Sequence, residues 1–288
     1  MNNRKHKRFI CLNGEMLPAG EPAIMHENRA FCYGDALFET IHANGTKLQF
    51  FDEHYRRLER SMNKLNMKRS SQLEADSLES NIIRLLNKNH LHQGVRIRLT
   101  VFRNSGGYYT PDTNACSFLA ETIPLPHDHY HLNEKGLKAG IYTTILKHPD
   151  ELANLKTANS LLYIMAGLYR KEAGLDECII LNTDRRLAEC ISSNIFLLKN
   201  GTIHTPSLDE GCVAGIMRNQ IIRIAKQEGI ECMESKLSEN DILEADEFFM
   251  TNSITGIRWV VAFRQKRYYS KTSRILITCL NKEQFGKM

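Results

Sequence analysis

The chain has 288 residues, 42% of them hydrophobic, enough to bury a substantial core in one large domain or two smaller ones. Its 38 basic and 33 acidic residues leave a formal charge of +5, concentrated at Arg4, Lys5, Lys7 and Arg8, so the rest is near balance and a nucleic-acid function is not expected. No stretch approaches the roughly 18 to 20 uncharged apolar residues of a membrane span; no signal-peptide pattern opens the chain, and its eight scattered cysteines lack a CxxC pair, as in a cytoplasmic protein with reduced thiols.

Asn13-Gly14, Asn44-Gly45 and Asn200-Gly201 are flanked by strand-like runs and predict type I′ hairpins, because both turn positions need positive φ. Much antiparallel pairing follows. Asp52 is placed to cap a helix carrying Tyr55, Leu58, Met62 and Leu65 at helical spacing, and a second helix is expected around SLESNIIRLLNKN. A strand pair, VRIRLTVFR and ACSFLAETI, comes next. The proline-containing TIPLPHDHYH reads as a linker at residues 122–131, dividing a first half, 1–121, from a second, 132–288. Beyond it the pattern gives a helix SLLYIMAGLYRKEAG stopped by Gly174, then the strands of ECIILNTDRRLAECISSNIFLL. A helix through IMRNQIIRIAKQ from near Gly215, a strand EFFMTN and a closing helix near RILITCLNKEQF complete it. Hairpins mixed with helices, without strict alternation, predict an α+β (mixed α/β) fold. Neither GxGxxG after a strand nor GxxxxGK[ST] is present, so a Rossmann cofactor site and a P-loop lack support. His127, His129 and His131 alternate as strand ligands would, but beside two prolines they read as solvated linker, and no metal is expected.

Four stretches, in order, resemble the class IV aminotransferases, the fold type IV pyridoxal 5'-phosphate (PLP) enzymes that include D-amino-acid and branched-chain aminotransferases and 4-amino-4-deoxychorismate lyase. RAFCYGDALFETI (29–41) is similar to the family's R-x-x-x-[FY]-G-D-x-x-F-E, and FFDEHYRRL (50–58) to its E-H-x-x-R-L. LKTANSLLYIMA resembles the segment of the Schiff-base lysine and is followed by an E-x-x-x-x-N-[IVL]-F match; VAGIMR (213–218) leads on to EFFMTNS. The resemblance implies a two-domain fold like that of D-amino-acid aminotransferase: a small N-terminal α/β domain, a larger C-terminal PLP-binding domain, the cofactor in the cleft, and a homodimer. The implied activity is amino-group transfer between an amino acid, branched-chain or D-, and a 2-keto acid. The alternative is β-elimination of aminodeoxychorismate to 4-aminobenzoate and pyruvate. A non-catalytic relative is disfavoured by the intact Lys156 and Glu189.

The same resemblance assigns residues. Lys156 matches the lysine that carries PLP and moves the substrate's α proton; a Schiff-base lysine must be neutral when it attacks, which partial burial favours against an ordinary pKa of about 10.4. Lys147 lacks the matching flanks and is set aside. Glu189 matches the acid that keeps the cofactor's ring nitrogen protonated, which PLP needs to accept electrons. For the phosphate dianion, Arg57, the helix opening at Gly215 and Ile216, and Asn252 with Ser253 match the family's donors, while Val213 matches an apolar residue against the ring. Tyr33 corresponds to an aromatic position near the substrate in several relatives and fits a core tyrosine equally well. Asn159 completes the K-x-x-N pattern of the D-amino-acid enzymes and the lyases. Two departures concern substrate: Tyr108 and Tyr109 stand where several relatives carry a basic residue for a carboxylate, and GIRWVV, with Arg258 and Trp259, replaces a Thr-Pro-Val continuation.

Overall fold

The computed structural model describes residues 8–286; Arg4, Lys5 and Lys7 of the basic tail lie outside them. Among the described residues there are fifteen strands and seven helices, a mixed α/β architecture, and backbone contacts divide the chain into two compact units. The first runs through Asp128 and takes in Lys156–Asn159; the second comprises His129–Leu155 and the chain from Ser160.

The first unit contains β1 (Phe9–Leu12), β2 (Glu15–Pro18), α1 (Arg29–Tyr33), β3 (Ala36–Asn44), β4 (Lys47–Leu48), α2 (Phe51–Lys64), α3 (Ala75–Lys88), β5 (Gly94–Arg103) and β6 (Cys116–Pro124). Its antiparallel sheet has the order β2-β1-β6-β5-β3-β4. Period-two alternation assigns the two faces. Val95, Ile97, Leu99 and Val101 of β5 are buried opposite Ala43, Ile41, Glu39 and Leu37 of β3, and α2 and α3 pack against this sheet. The opposite face carries Phe38, Thr40, Arg98 and Thr100, all half-buried. One charged residue, Glu39, therefore stands among apolar neighbours, and α2 meets it with a face that includes buried His54 and Arg57.

Two details differ from the sequence-based expectation. Asp52 is not the cap of α2: Phe50, left-handed at φ 56°, precedes the helix, and Asp52 lies in the first turn, where its charge suits the positive end of the helix dipole. The Asn13-Gly14 and Asn200-Gly201 turns have positive φ at both residues, but at the third Asn44 ends β3 and Gly45 alone is left-handed, at φ 59°. A loop of Gly45 and Thr46, pairing Asn44 with Lys47, needs positive φ only at its first position, as in a type II′ turn.

The second unit contains β7 (Leu137–Lys147), α4 (Leu161–Glu172), β8 (Glu177–Asn182), β9 (Leu187–Cys190), β10 (Asn194–Lys199), β11 (Thr202–Pro206), α5 (Ile216–Gln227), β12 (Cys232–Ser235), α6 (Glu239–Glu244), β13 (Glu247–Asn252), β14 (Gly256–Phe263), β15 (Lys266–Arg267) and α7 (Lys271–Phe285). Its sheet runs β12-β11-β10-β13-β14-β7-β8-β9, with β15 on β14. The expected antiparallel pairing holds for the first sheet, but here β7–β8, β7–β14 and β11–β12 are parallel. The crossover through α4 makes β7 and β8 parallel, and β8 is buried along its whole length, as a strand covered on both faces must be. Ile179, Leu181, Leu187, Ile195, Phe248 and Val260 form the core on one side; Cys178, Ile180 and Tyr142 meet Ala166, Leu162 and Tyr163 of α4 on the other.

Residues 125–136 form neither strand nor helix, so His127, His129 and His131 share no strand face. Among the described residues, no cluster of three or more His, Cys, Asp or Glu could hold a metal ion. No helix among them is long and apolar enough to cross a membrane.

Candidate active site

In the first unit the expected Arg57 lies against Glu39. Its Nε is 2.8 Å from Oε1 and its Nη2 2.5 Å from Oε2, a bidentate pair in which Arg57 is 7% and Glu39 2% exposed. His54 Nδ1 lies 2.6 Å from Oε2. Burial alone would push the Glu39 carboxyl up, yet the Arg57 charge, reinforced by His54, brings it down from 4.5 to about 2. Burial lowers the pKa of His54 against the pull of Glu39. The sequence motifs contain Glu39 and His54, but neither carries an assigned role there. Their joint contact with Arg57 requires the β3–α2 packing.

Lys156 is half-buried in a short extended segment on β3: Phe38 N–H donates to Lys156 O at 2.9 Å and Ala158 N–H to Ala36 O at 2.9 Å. This brings Nζ to 4.4 Å from the centroid of the Phe38 ring. Arg98 stands with its guanidinium carbon 4.1 Å from the same centroid. Alternation along VRIRLTVFR is the signal that could have singled out Arg98, since it puts an arginine on the half-buried face. Asn159 approaches the YGD turn so closely that a Cβ on Gly34, at φ 67°, would meet its Oδ1 at 2.7 Å.

Tyr33 is 37% exposed, which removes the core reading, and its ring lies 5.8 Å from that of Tyr109. Arg29, 3% exposed, holds this loop by donating to the carbonyls of Gly106, Gly107 and Tyr108 at 3.0, 3.2 and 2.6 Å. Its Nε donates to Asp35 at 2.8 Å, and Arg103 donates to the same carboxylate oxygen at 2.9 Å.

In the second unit Glu189, on β9, is 4% exposed. Lys147 Nζ donates to its Oε1 at 2.5 Å, Tyr163 Oη to Oε1 at 2.7 Å, and Val213 N–H to Oε2 at 2.9 Å. Lys147, set aside in the sequence, is therefore the charge partner of the carboxylate that the sequence singled out. Val213 is placed by Asn194, whose Nδ2 donates to Val213 O at 2.9 Å. Gly215 then opens α5 without a side-chain cap, and a Cβ there would land 2.0 Å from Asn194 Oδ1, so only glycine permits this approach. The amides of the first turn, from Ile216 onward, are those an anion would meet. Asn252 donates to Ser193 Oγ at 3.1 Å, and its Oδ1 accepts from the amides of Ile254 and Thr255, shaping the turn that holds Ser253. Trp259, on β14, is tied to Asn133 through its backbone N–H and its indole.

The first unit thus sets a half-buried lysine beside β3, and the second a buried strand carboxylate and a helix start without a side-chain cap. Residues 36–263 match the family model described as amino-transferase class IV, and the chain belongs to that family. It is 30% identical over 253 residues to a Methanocaldococcus jannaschii protein assigned as a branched-chain amino acid aminotransferase, covering 86% of this chain and 85% of that one. It is 28% identical over 274 residues to the aminodeoxychorismate lyase of Bacillus subtilis, covering 92% and 89%. The branched-chain amino acid aminotransferase of Thermobaculum terrenum, solved in its PLP form, shares the fold with a TM-score of 0.86 at 18% identity, over 99% of this chain and 96% of that one.

Proposed function

We propose that this chain is a PLP-dependent aminotransferase that passes an amino group between an amino acid, branched-chain or D-, and a 2-keto acid. The observation that carries the reading is the cluster on the open face of β3 and β5. There the amine of Lys156 and the guanidinium of Arg98 flank one aromatic ring, at 4.4 and 4.1 Å. An amine suits cofactor attachment and proton transfer, and a guanidinium half-withdrawn from water suits a substrate carboxylate, the need left open by Tyr108 and Tyr109. The donor set fits PLP. Glu189 is a buried carboxylate with acceptor capacity left on Oε2; the uncapped start of α5 at Gly215 and Ile216, with Ser253, suits a phosphate; and Arg57 is a buried cation locked by Glu39.

When bound, PLP supplies an electron sink for the pair left on the substrate's α carbon after its proton is removed. Lys156 would hold the cofactor through its amine and move the substrate's α proton. Glu189 would accept a hydrogen bond from the ring nitrogen and favour its protonated form. Val213, fixed through its N–H to Glu189 and its carbonyl to Asn194, would bear on the ring. Arg57 in the first unit and the first amides of α5 in the second would each suit the phosphate charge, Asn252 would hold the turn of Ser253, and Tyr33 would border the substrate.

Elimination from aminodeoxychorismate is the second reading; Asn159, in the K-x-x-N pattern that the D-amino-acid enzymes and the lyases share, favours both over a branched-chain enzyme. A substrate panel separates the two: accumulation of pyridoxamine phosphate with a new keto acid supports transamination, and pyruvate release without it supports the lyase. Borohydride treatment of the PLP-loaded protein should fix the cofactor on the peptide containing Lys156; fixation elsewhere would reassign the lysine. We further propose a homodimer, supported by the exposed apolar stripe Leu161, Ile164, Met165, Leu168 and Tyr169 along α4, and a cytoplasmic location, supported by eight free cysteines. Light scattering on the purified protein checks the dimer.

A further inference from the structure

Glu189 is not an isolated acid. Lys147 and Tyr163 donate to one of its oxygens and the Val213 amide to the other, and Lys147 is fixed in turn by donating to Ala153 O at 3.0 Å. The titratable groups that face this carboxylate are Lys147 on β7, Tyr163 on α4, Cys190 on β9 and Cys212 in the loop before α5. Burial, reinforced by Glu189, raises the Tyr163 phenol and brings the Cys212 thiol to about 12; burial first, then neighbouring acids, raises Cys190. All three are neutral near pH 7. The positive charge at hydrogen-bond distance from Glu189 is that of Lys147.

An ionised carboxylate offers about four acceptor directions. Three are taken, and the one left is on Oε2. Resting on the PLP reading above, we infer that Lys147 is a positioning residue that holds Glu189 ionised as an acceptor-only partner. By sharing its charge, Lys147 also sets how firmly the cofactor's ring nitrogen keeps its proton. The ammonium and a protonated ring nitrogen draw on the same negative charge. Removing the ammonium leaves that whole charge to the nitrogen, and without cofactor it leaves a buried carboxylate with no counter-charge. Both changes have one sign, because taking away a nearby positive charge raises the pKa of an acid.

The test uses Lys147→Met, with Lys147→Gln as a second variant should the first not fold, and Glu189→Gln/Lys147→Gln as reference. Each protein is loaded with PLP labelled at the ring nitrogen, and the nitrogen resonance is followed against pH. The midpoint should move upward from wild type by about one pH unit or more in the single variants. Without cofactor, the single variants leave Glu189 a buried carboxylate with no counter-charge, a cost that grows as pH rises and charges it. Their melting temperature should fall from pH 5 to 8 relative to wild type, and the double variant should not show this trend. An unchanged or lower ring-nitrogen midpoint would overturn the inference even if the variants melt early, since a merely structural ion pair predicts only the early melting. Failure of the wild-type protein to take up PLP would instead sink the cofactor reading, and is seen before any variant is made.

Discussion

Glu39 in the first unit and Glu189 in the second are strand carboxylates, 2% and 4% exposed, each met by one cation and one ring-bearing side chain. In the first, two guanidinium nitrogens and an imidazole occupy both oxygens, and the proposed function gives the outward chemistry to the cation, Arg57. In the second, the proposed function gives it to the carboxylate, which Lys147 with Tyr163 holds from one oxygen while a backbone amide steadies the other. A buried charge needs a partner in either case.

Breaking the second pair at its carboxylate should have the largest consequence. Glu189→Gln keeps size and hydrogen bonding but loses the charge that favours a protonated ring nitrogen, so α-proton exchange with deuterated solvent should slow by orders of magnitude while cofactor remains bound. Near-normal exchange would reassign the nitrogen partner. Breaking the first pair at its carboxylate should act on the fold: Glu39→Ala strands Arg57 as a buried unpaired charge, expected to cost about 3–5 kcal/mol in urea unfolding. A loss no larger than that of an exposed glutamate would mean that Arg57 finds other partners.

Arg57→Ala should weaken PLP binding roughly ten- to a hundredfold, the equivalent of about 1.5–3 kcal/mol for a charge-assisted bond. Turnover at saturating cofactor should change less; normal affinity with lost turnover would place Arg57 at the substrate. The effect least visible at neutral pH is acid sensitivity. His54 and Glu39 both have folded pKa values below their ordinary 6.5 and 4.5, so the stability they contribute is present above those values. It is lost as pH falls, first below 6.5 through His54 and then from 4.5 toward about 2 through Glu39. Urea midpoints measured down this range should show both phases in wild type and lack the lower one in Glu39→Gln.

Much of this was legible in the sequence because it is local. The helix through IMRNQIIRIAKQ, the strand EFFMTN and the pair VRIRLTVFR with ACSFLAETI follow from periodicity, and α5 begins at Ile216, directly after Gly215. Lys156, Glu189 and Arg57 stood out through short motifs. The strand β7 did not, because LKAGIYTTILK mixes polar and apolar residues without strict alternation. Its bulged register with β8 explains that pattern.

Sequence by itself singled out the candidate residues and most of the elements that carry them, since propensity, spacing and turn stereochemistry act over a few residues. Tertiary structure decided their partners. Strand pairing with β3 brings Lys156 to Phe38, helix packing brings Arg57 to Glu39, and a crossover brings Lys147 to Glu189 across 42 positions. Alternation can say that a residue shares a face with its second neighbour, but not what that face will meet, because register and crossover are set by burial of the whole sheet. A lysine that looked like any other in the chain thereby became the counter-charge of a buried acid.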